Sequence, residues 1–287
     1  GARFVPADLT AGDLTALASG QDVVFHAAAL SSPWGDPKVF DAINVEATRR
    51  LLAAAQAAGC DAFVFVSTPS VYAAPCDRTG LTEDSPVADP PANDYARTKG
   101  QAEREVLAAN APGFATVAIR PRALVGPDDT VLLPRILRIA RGRRFPLING
   151  GEALIELTDV RDAARALMLA DRHRARAAGL VVNISGGQPR TVRETVAEVA
   201  AALDLHPRFV SVGYGPLAAL ARVMELVCAR LPGRPEPPFT PYSLQTLAFS
   251  QTFDLARARA LLGYEPRHTP AEAIARAAAA LKGAATT

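Results

Sequence analysis

The stretch "AFVFVST", residues 62–68, is a short continuous apolar run that ends in two hydroxyl side chains. Strands covered by helices on both faces have runs of this kind, whereas half-exposed strands alternate apolar and polar residues. Polar residues directly after such a strand lie at the carboxyl edge of a parallel sheet, where ligands bind in open α/β folds. The stretch therefore predicts a buried parallel strand, with Ser67 and Thr68 as candidate site residues.

Strand-like and helix-like segments alternate on both sides of this run, up to about residue 185. Such alternation predicts βαβ units, so we expect an α/β protein with a Rossmann-like, doubly wound parallel sheet. The other predicted strands are "ARFVPAD" (2–8), "DVVFHAA" (22–28) and "ATVAIRP" (115–121), and the predicted helices are "NVEATRRLLAAAQAAG" (44–59) and one that begins near Tyr95.

The texture of the sequence changes near residue 187, where helical patterns alternate with proline-rich loops such as "LPGRPEPPFTPY" (231–242). We predict a dinucleotide-binding domain over residues 1–186 and a smaller, mostly helical substrate lobe over residues 187–287. Residues 122–150 are expected to contribute to the second lobe. A disordered linker remains the alternative for the proline-rich segment.

Composition excludes several classes of function. A net charge of +2 gives no basic surface for nucleic acid, and the three cysteines have no metal-ligand spacing. Scattered cysteines also favour a reducing compartment, so we expect no metal and a cytoplasmic location. No run is long enough to span a membrane. Contact of "PLAALARVMELVC" (216–228) with a membrane surface is left open, because core packing explains it equally well.

The segment "DYARTK", residues 94–99, contains one of only three lysines in the chain. Tyr95 and Lys99 are four residues apart, so a helix would place them on one face. A neighbouring ammonium favours the phenolate and would bring the tyrosine pKa into the range for proton transfer. With the Thr68 hydroxyl holding a substrate oxygen, the set predicts proton transfer at a carbonyl or carbinol. Two solvated side chains on a helix are the alternative.

Eight segments occur in the order found in one large family: "DVVFHAAA", "NVEATRRLL", "FVFVSTPSVY", "DYARTK", "IRPRALVGP", "LIELTDVRDAARA", "VVNISGG" and "FDLARARALLGYEP". Over nearly its whole length the chain resembles the extended short-chain dehydrogenases/reductases of the NAD-dependent epimerase/dehydratase type. The segments "AAALSSPWG" (27–35) and "STPSVY" (67–72) are most similar to the branch of the 3β-hydroxysteroid dehydrogenases.

The resemblance implies a role for each matching residue. Tyr95 would be the general acid/base, Lys99 would hold the nicotinamide ribose and lower the tyrosine pKa, and Thr68 would hold the substrate oxygen, with Ser67 as its fallback. The cofactor would be NAD or NADP. The implied cofactor-binding residues are Asp8, Leu9, Ala27, Ala28, Ala29, Ser67, Tyr95, Lys99 and Pro121.

The chain departs from the family pattern at two places. The glycine-rich turn that opens a dinucleotide fold is not in the sequence, so we expect a first βαβ unit upstream in a longer natural chain. The residue that selects NAD or NADP would lie in that unit. Pro69 and Ser70 stand where dehydratases of this fold carry an Asp-Glu pair, which argues against dehydration.

We therefore expect an oxidoreductase that moves a hydride between nicotinamide and a hydroxyl or keto carbon of an apolar, sterol-like 3-hydroxy/3-keto substrate. A nucleotide-sugar epimerase is the alternative enzyme, and a truncated, non-catalytic ligand-binding protein is the alternative outside enzymes. The resemblance also implies a homodimer formed through helices near residues 43–58 and 95–110.

Several polar residues have simpler structural interpretations. Asn44 is predicted to cap its helix, and Asp159 and Asp162 are candidate caps of the helix that follows them. Asp8 is a helix cap or an adenine-binding residue. His26 is predicted to be a hydrogen-bonded strand-end histidine and not a catalyst, because no cysteine or carboxylate is spaced to use it.

Overall fold

The computed structural model describes residues 2–127 and 144–284, together with residues 129, 133, 136, 137, 139 and 142 between them. Its central sheet has four parallel strands in the spatial order β1-β2-β4-β9. These strands are β1 (Val23–His26), β2 (Ala62–Val66), β4 (Ala115–Pro121) and β9 (Leu180–Ile184). The observed architecture is the α/β class with a parallel sheet that the sequence predicts.

Helices cover both faces of this sheet. Helix α3 presents Leu51 and Ala55, four residues apart, to Phe63 and Phe65 of β2, so one helical stripe fills the space above the strand. The helices are α1 (Thr15–Ala18), α2 (Pro37–Phe40), α3 (Ala47–Ala57), α4 (Asp94–Ala108), α5 (Val160–Arg172), α6 (Arg174–Ala177), α7 (Val192–Ala202), α8 (Tyr214–Arg230), α9 (Pro241–Ala248), α10 (Ala256–Leu262) and α11 (Pro270–Ala284).

Short strand pairs connect the rest of the chain. Strand β6 pairs with β11 and β5 with β8 in parallel, β7 pairs with β10 antiparallel, and β12 pairs with β3 in parallel. These strands are β3 (Arg78–Leu81), β5 (Leu124–Val125), β6 (Arg144–Ile148), β7 (Leu154–Ile155), β8 (Thr158–Asp159), β10 (Arg190–Thr191), β11 (Arg208–Val212) and β12 (Gln251–Phe253).

The buried apolar residues fall into separate clusters. Two clusters lie against the central sheet, one on the face of α3 and α4 and one on the face of α5 and α10. A third cluster joins Phe145 and Leu147 of β6 to Val196 of α7 and Ile274 of α11, away from the central sheet. Residues that precede position 187 therefore share a core with the C-terminal helices.

Two predicted elements differ from the structure. Residues 2–7 form no strand, and none of the described strands pairs with them, although the outer edge of β1 is free. Phe4 is accordingly 87% exposed. The helix expected from Asn44 begins earlier: α2 runs through a π-helical turn, Asp41–Glu46, into α3. Asn44 thus lies inside the helical run and does not cap it.

Candidate functional site

Three adjacent strands end at the same edge of the sheet and bring the predicted site residues together. His26 of β1 pairs with Phe65 of β2, and Val66 of β2 pairs with Ile119 of β4. Parallel strands in this register place their following residues side by side. Ala27–Ala29, Ser67 with Thr68, and Pro121 therefore lie together at the carboxyl edge, as the sequence predicts.

Helix α4 places Tyr95 and Lys99 next to this edge. Asn93 caps the helix by accepting a 2.9 Å hydrogen bond from the Ala96 amide, so Tyr95 lies in the first turn and Lys99 one turn later. The Lys99 ammonium donates a 2.6 Å hydrogen bond to the Val66 carbonyl and lies 3.9 Å from the centre of the Phe65 ring. Lys99 thus ties α4 to the end of β2.

The environment of Lys99 is unusual for a cation. Its side chain is almost fully buried, and this burial lowers the lysine pKa to about 7, although the Glu103 carboxylate acts in the opposite direction. His26 is also buried, and its own burial, together with the charge of Lys99, lowers the pKa of its imidazole to about 4. His26 is hydrogen-bonded to Thr48 at 2.8 Å, so it is the paired strand-end histidine that the sequence predicts.

The pKa of Tyr95 differs from the expectation. Burial raises the pKa of the phenol, while the Thr68 and Ser31 hydroxyls lower it by a smaller amount. Lys99 is not among the groups that shift this pKa, because its ammonium is held at the Val66 carbonyl. The pKa of Tyr95 is therefore raised by burial, whereas the sequence analysis expects Lys99 to lower it. The proximity of Thr68 to Tyr95 agrees with the prediction.

Thr68 belongs to a hydrogen-bonded row of hydroxyl groups. Its hydroxyl donates to Ser70 Oγ at 3.0 Å and accepts from the Ser70 amide at 3.2 Å, and Ser70 Oγ lies 2.6 Å from the Tyr242 hydroxyl. The capping box of Thr240 and Ser243 fixes the start of α9 and so positions Tyr242. The row thus connects Thr68, at the end of β2, to Tyr242 in the C-terminal part of the chain.

The strand ends fit a dinucleotide in two respects. Ser67 Oγ is buried and has no hydrogen-bond partner among the described residues, so it has a donor to offer to a ligand. Ala27 and Ala28 are exposed and carry small side chains, which leave the edge of β1 open to a flat group. Pro121 ends β4 beside them. These features are the ones that a nicotinamide and its ribose need.

Asp8 and Leu9 are held by contacts within their own turn and with α3. Asp8 accepts hydrogen bonds from the Thr10 amide and hydroxyl, both within its own turn, and Arg50 of α3 donates to the Leu9 carbonyl at 3.3 Å. Asp8 does not cap a helix, since Asp13 accepts from the first amide of α1. Its exposed carboxylate leaves the adenine-binding role as the open alternative.

Other polar predictions have mixed outcomes. Asn44 bridges the Leu30 backbone and the Thr98 hydroxyl from inside its helix, so its predicted capping role is wrong. Asp159 caps α5 as predicted, by accepting from the Arg161 amide. Asp162 is not a cap, because it lies inside α5 and accepts from two backbone amides near residue 268.

Sequence analysis did not identify several side chains near the site. These are Ser31, Ser70, Arg122, Tyr242 and Gln245. The strand-end rule, applied one residue beyond Pro121, would have identified Arg122. Tyr242 gives no such signal, because its partner Ser70 is 172 positions away in the chain. Among the described residues, no group of His, Cys, Asp or Glu is arranged to hold a metal, and no helix is long and apolar enough to cross a membrane.

Curated relatives cover most of the chain. YbjS of Escherichia coli, an uncharacterized protein, is 35% identical over 98% of this chain and 85% of its own length. A 2-alkyl-3-oxoalkanoate reductase of Stenotrophomonas maltophilia is 34% identical, over 90% of this chain and 80% of that protein. A decarboxylating sterol-4-alpha-carboxylate 3-dehydrogenase of Mus musculus is 29% identical, over 92% of this chain and 75% of that protein.

A solved structure and a family model agree with these relatives. MoeE5, solved in complex with UDP-glucuronic acid and NAD, superposes with a TM-score of 0.76 at 25% identity, over 98% of this chain and 85% of MoeE5. A model of the NAD dependent epimerase/dehydratase family matches residues 1–185. The chain therefore belongs to the NAD-dependent epimerase/dehydratase family and is an NAD(P)-dependent enzyme of the extended short-chain dehydrogenase/reductase type.

Proposed function

We propose that the chain is an oxidoreductase that interconverts the hydroxyl and keto forms of an apolar 3-hydroxy/3-keto substrate, with NAD or NADP as hydride carrier. The observation that carries this proposal is the Tyr95 phenol, which lies partly buried beside the Thr68 hydroxyl at the carboxyl end of β2. A phenol and an alcohol that converge on one point are suited to a single substrate oxygen, one as proton donor and one as hydrogen-bond donor.

In this proposal each side chain has one task. Tyr95 gives a proton to the substrate oxygen during reduction and takes it back during oxidation. Thr68 turns its hydroxyl proton from Ser70 Oγ to the substrate oxygen and donates a hydrogen bond that stabilises the developing alkoxide. Lys99 sets the distance between these two residues through the Val66 carbonyl, and its remaining ammonium protons hold the ribose hydroxyls. The nicotinamide, when bound, supplies or accepts the hydride.

The cofactor would lie across the strand ends. Ser67, Ala27, Ala28, Ala29 and Pro121 form the surface next to the reacting centre, and Asp8 with Leu9 would meet the adenine. The orphaned Ser67 hydroxyl and the exposed alanines support this placement. Tyr95 and Lys99 complete the cofactor-binding set, because they lie on α4 directly beside β2.

The names of two relatives support the substrate class. The Stenotrophomonas maltophilia protein is named for a 2-alkyl-3-oxoalkanoate, and the Mus musculus protein for a sterol-4-alpha-carboxylate and a 3-dehydrogenase reaction. Both names describe largely apolar molecules that react at carbon 3. The apolar face of α8, which exposes Val223, Leu226 and Val227, supports contact with a membrane surface that would supply such a molecule.

A nucleotide-sugar epimerase remains the second candidate. Its support is the MoeE5 structure, which contains UDP-glucuronic acid and NAD. Against it stands the higher identity of the reductase relative, 34%, compared with 25% for MoeE5.

We also propose the two-lobe organisation over residues 1–186 and 187–287. The separate cluster that joins β6 to α7 and α11 supports it, and also supports assigning part of residues 122–150 to the second lobe. A homodimer through residues 43–58 and 95–110 is proposed as well. Sedimentation of the purified chain at several concentrations tests the dimer, and a monomer throughout would contradict it.

The test of function uses 3-hydroxyoctanoate and octan-3-ol with NAD⁺ and, separately, NADP⁺. We expect the absorbance of the reduced nicotinamide to grow with at least one of these alcohols. Epimerisation of UDP-glucuronic acid, with no oxidation of either alcohol, would replace the oxidoreductase proposal by the epimerase.

A further inference from the structure

A pocket adjoins the row of hydroxyl groups at the candidate active site. It is small, with a cavity volume of about 10 Å³ that holds about one water-sized group, and Ser70 and Tyr242 form the side nearest Thr68. Arg122 and Gln245 line the same pocket. The pocket therefore begins two hydrogen bonds away from the oxygen that Thr68 would hold.

Arg122 lies in this pocket, and its side chain has no partner among the described residues. Its residue is 9% exposed, its Nε atom is buried with no hydrogen-bond acceptor, and no carboxylate of the described residues lies within ion-pair distance of its guanidinium. Leaving a buried donor unpaired costs about 1 to 3 kcal/mol, and more for a charged group. A buried arginine with no partner among the described residues is therefore suited to bind an anionic ligand.

The neighbouring charges do not satisfy Arg122. Glu156 is close enough to favour its charged form, but the Glu156 carboxylate already accepts hydrogen bonds from the Ser185 hydroxyl and the Phe253 amide. Burial lowers the pKa of the Arg122 guanidinium, which is the direction expected for an uncompensated cation. Arginine nevertheless remains protonated in proteins, so the charge persists.

The other pocket residues complete a site for an anion. Gln245 is 9% exposed, and its Nε2 amide group has no acceptor among the described residues. Arg78 adds a second positive charge, although its guanidinium donates to the carbonyls of Tyr72 and Pro86. No acidic residue is among the described residues that line the pocket. The pocket thus offers donors and positive charge with no competing carboxylate.

We propose that Arg122 and Gln245 bind a carboxylate of the substrate, attached to the carbon next to the one that is oxidised or reduced. The proposal rests on the proposed oxidoreductase function and adds a specificity determinant to it. A carboxyl group at that position lies within a few ångströms of the reacting oxygen, which matches the short path from Thr68 through Ser70 to the pocket. The guanidinium fork fits the two carboxylate oxygens.

A matched pair of alcohols tests the carboxylate site. 3-Hydroxyoctanoate and octan-3-ol have the same carbinol and the same pentyl chain, but octan-3-ol has a methyl group where the acid has its carboxylate. We expect calorimetry to give tighter binding of the acid to the wild-type protein. Arg122→Met should weaken the binding of the acid about 10- to 100-fold and leave octan-3-ol unchanged.

Further variants separate charge from packing. Arg122→Lys keeps the charge and should recover part of the affinity for the acid. Gln245→Leu should weaken the binding of 3-hydroxyoctanoate selectively, by a smaller factor than Arg122→Met. It provides the test if Arg122→Met fails to fold. Arg174→Met is the matched control, because Arg174 forms ion pairs with Asp61 and Asp171 outside the pocket. It should leave both affinities unchanged.

The outcomes separate this inference from the proposed function. Equal affinity of the two alcohols for the wild-type protein, or an equal loss of both in Arg122→Met, would overturn the carboxylate site even if both alcohols are oxidised. Selective loss of acid binding in Arg122→Met would support the site even if neither alcohol is oxidised, and only the proposed activity would then fail.

Discussion

The Lys99 ammonium donates a 2.6 Å hydrogen bond to the backbone carbonyl of Val66. Val66 is the last residue of β2, directly before Ser67 and Thr68. This one contact connects the helix that carries Tyr95 to the strand that carries Thr68. Because the lysine is buried at this position, it lies next to the strand end and does not lower the pKa of the Tyr95 phenol. We therefore propose that Lys99 sets the geometry of the other two residues.

Replacing Lys99 should change both activity and the pH dependence of stability. The lysine pKa is lowered from 10.5 to about 7 in the folded protein, so the unfolded chain binds more protons between these values. The free energy of unfolding should therefore contain a contribution that rises with pH from 7 to 10.5. Lys99→Met should remove this contribution and lower kcat about 100-fold. Urea unfolding at several pH values checks the first effect, and identical pH profiles of the two proteins would contradict it.

His26 should destabilise the fold in acid. Its pKa falls from 6.5 unfolded to about 4 folded, so the unfolded state gains a proton first as the pH drops. The stability contributed by the neutral imidazole is complete above pH 6.5 and is lost as the pH falls towards 4, by about 3 kcal/mol in total. NMR titration of the imidazole checks the value. Lys99→Met should raise the His26 pKa only in part, because burial is the larger cause.

The ion pair of Glu103 and Arg120 links α4 to β4 inside the core, and both side chains are 5% exposed. Glu103→Gln should destabilise the protein by about 3 to 5 kcal/mol, because it leaves the arginine charge buried and unpaired. Glu105→Gln on the same helix is the control. Its partner Arg49 is exposed, so its loss should cost about 1 kcal/mol or less. Similar losses of unfolding free energy for the two variants would refute this distinction.

Thr68 and Ser67 should differ in their effect on turnover. Thr68→Val removes the hydroxyl next to Tyr95 and should lower kcat about 100- to 1,000-fold, as loss of an oxyanion donor does. Ser67→Ala removes a hydroxyl that has no protein partner among the described residues, so we expect weaker cofactor binding and a nearly unchanged kcat. Fluorescence titration of NADH and NADPH separates the two effects. The reverse pattern would assign the substrate oxygen to Ser67.

The parts of the site that local sequence patterns specify were predictable. A continuous apolar run gives the strand, the residues that follow it lie at the ligand-binding edge, and Tyr95 with Lys99 follows from helical spacing. Tyr242 was not predictable, because its contact with Ser70 depends on how α9 packs across 172 positions of chain. The position of Asn44 differs from the prediction for a similar reason, because its hydrogen-bond partners Leu30 and Thr98 are distant in sequence.

The direction of the Tyr95 pKa shift also lies beyond the sequence. Spacing places Lys99 on the same face of α4, but burial decides where its ammonium finds an acceptor, and that acceptor is a backbone carbonyl. A backbone group leaves no trace in the amino-acid pattern. The residues 2–7, whose composition suits a strand, also remain outside the sheet, although the outer edge of β1 is free.

The most direct test of the central claim follows a deuterium label in wild-type protein and in Tyr95→Phe. Octan-3-one is incubated with NADH or NADPH that carries deuterium at the transferred position. The octan-3-ol that forms is analysed by mass spectrometry, and Tyr214→Phe is the matched control. With the wild-type protein and the control, we predict deuterium on the carbinol carbon of the product. With Tyr95→Phe, we predict that octan-3-ol forms about 100- to 10,000-fold more slowly. Equal rates for all three proteins would contradict the account.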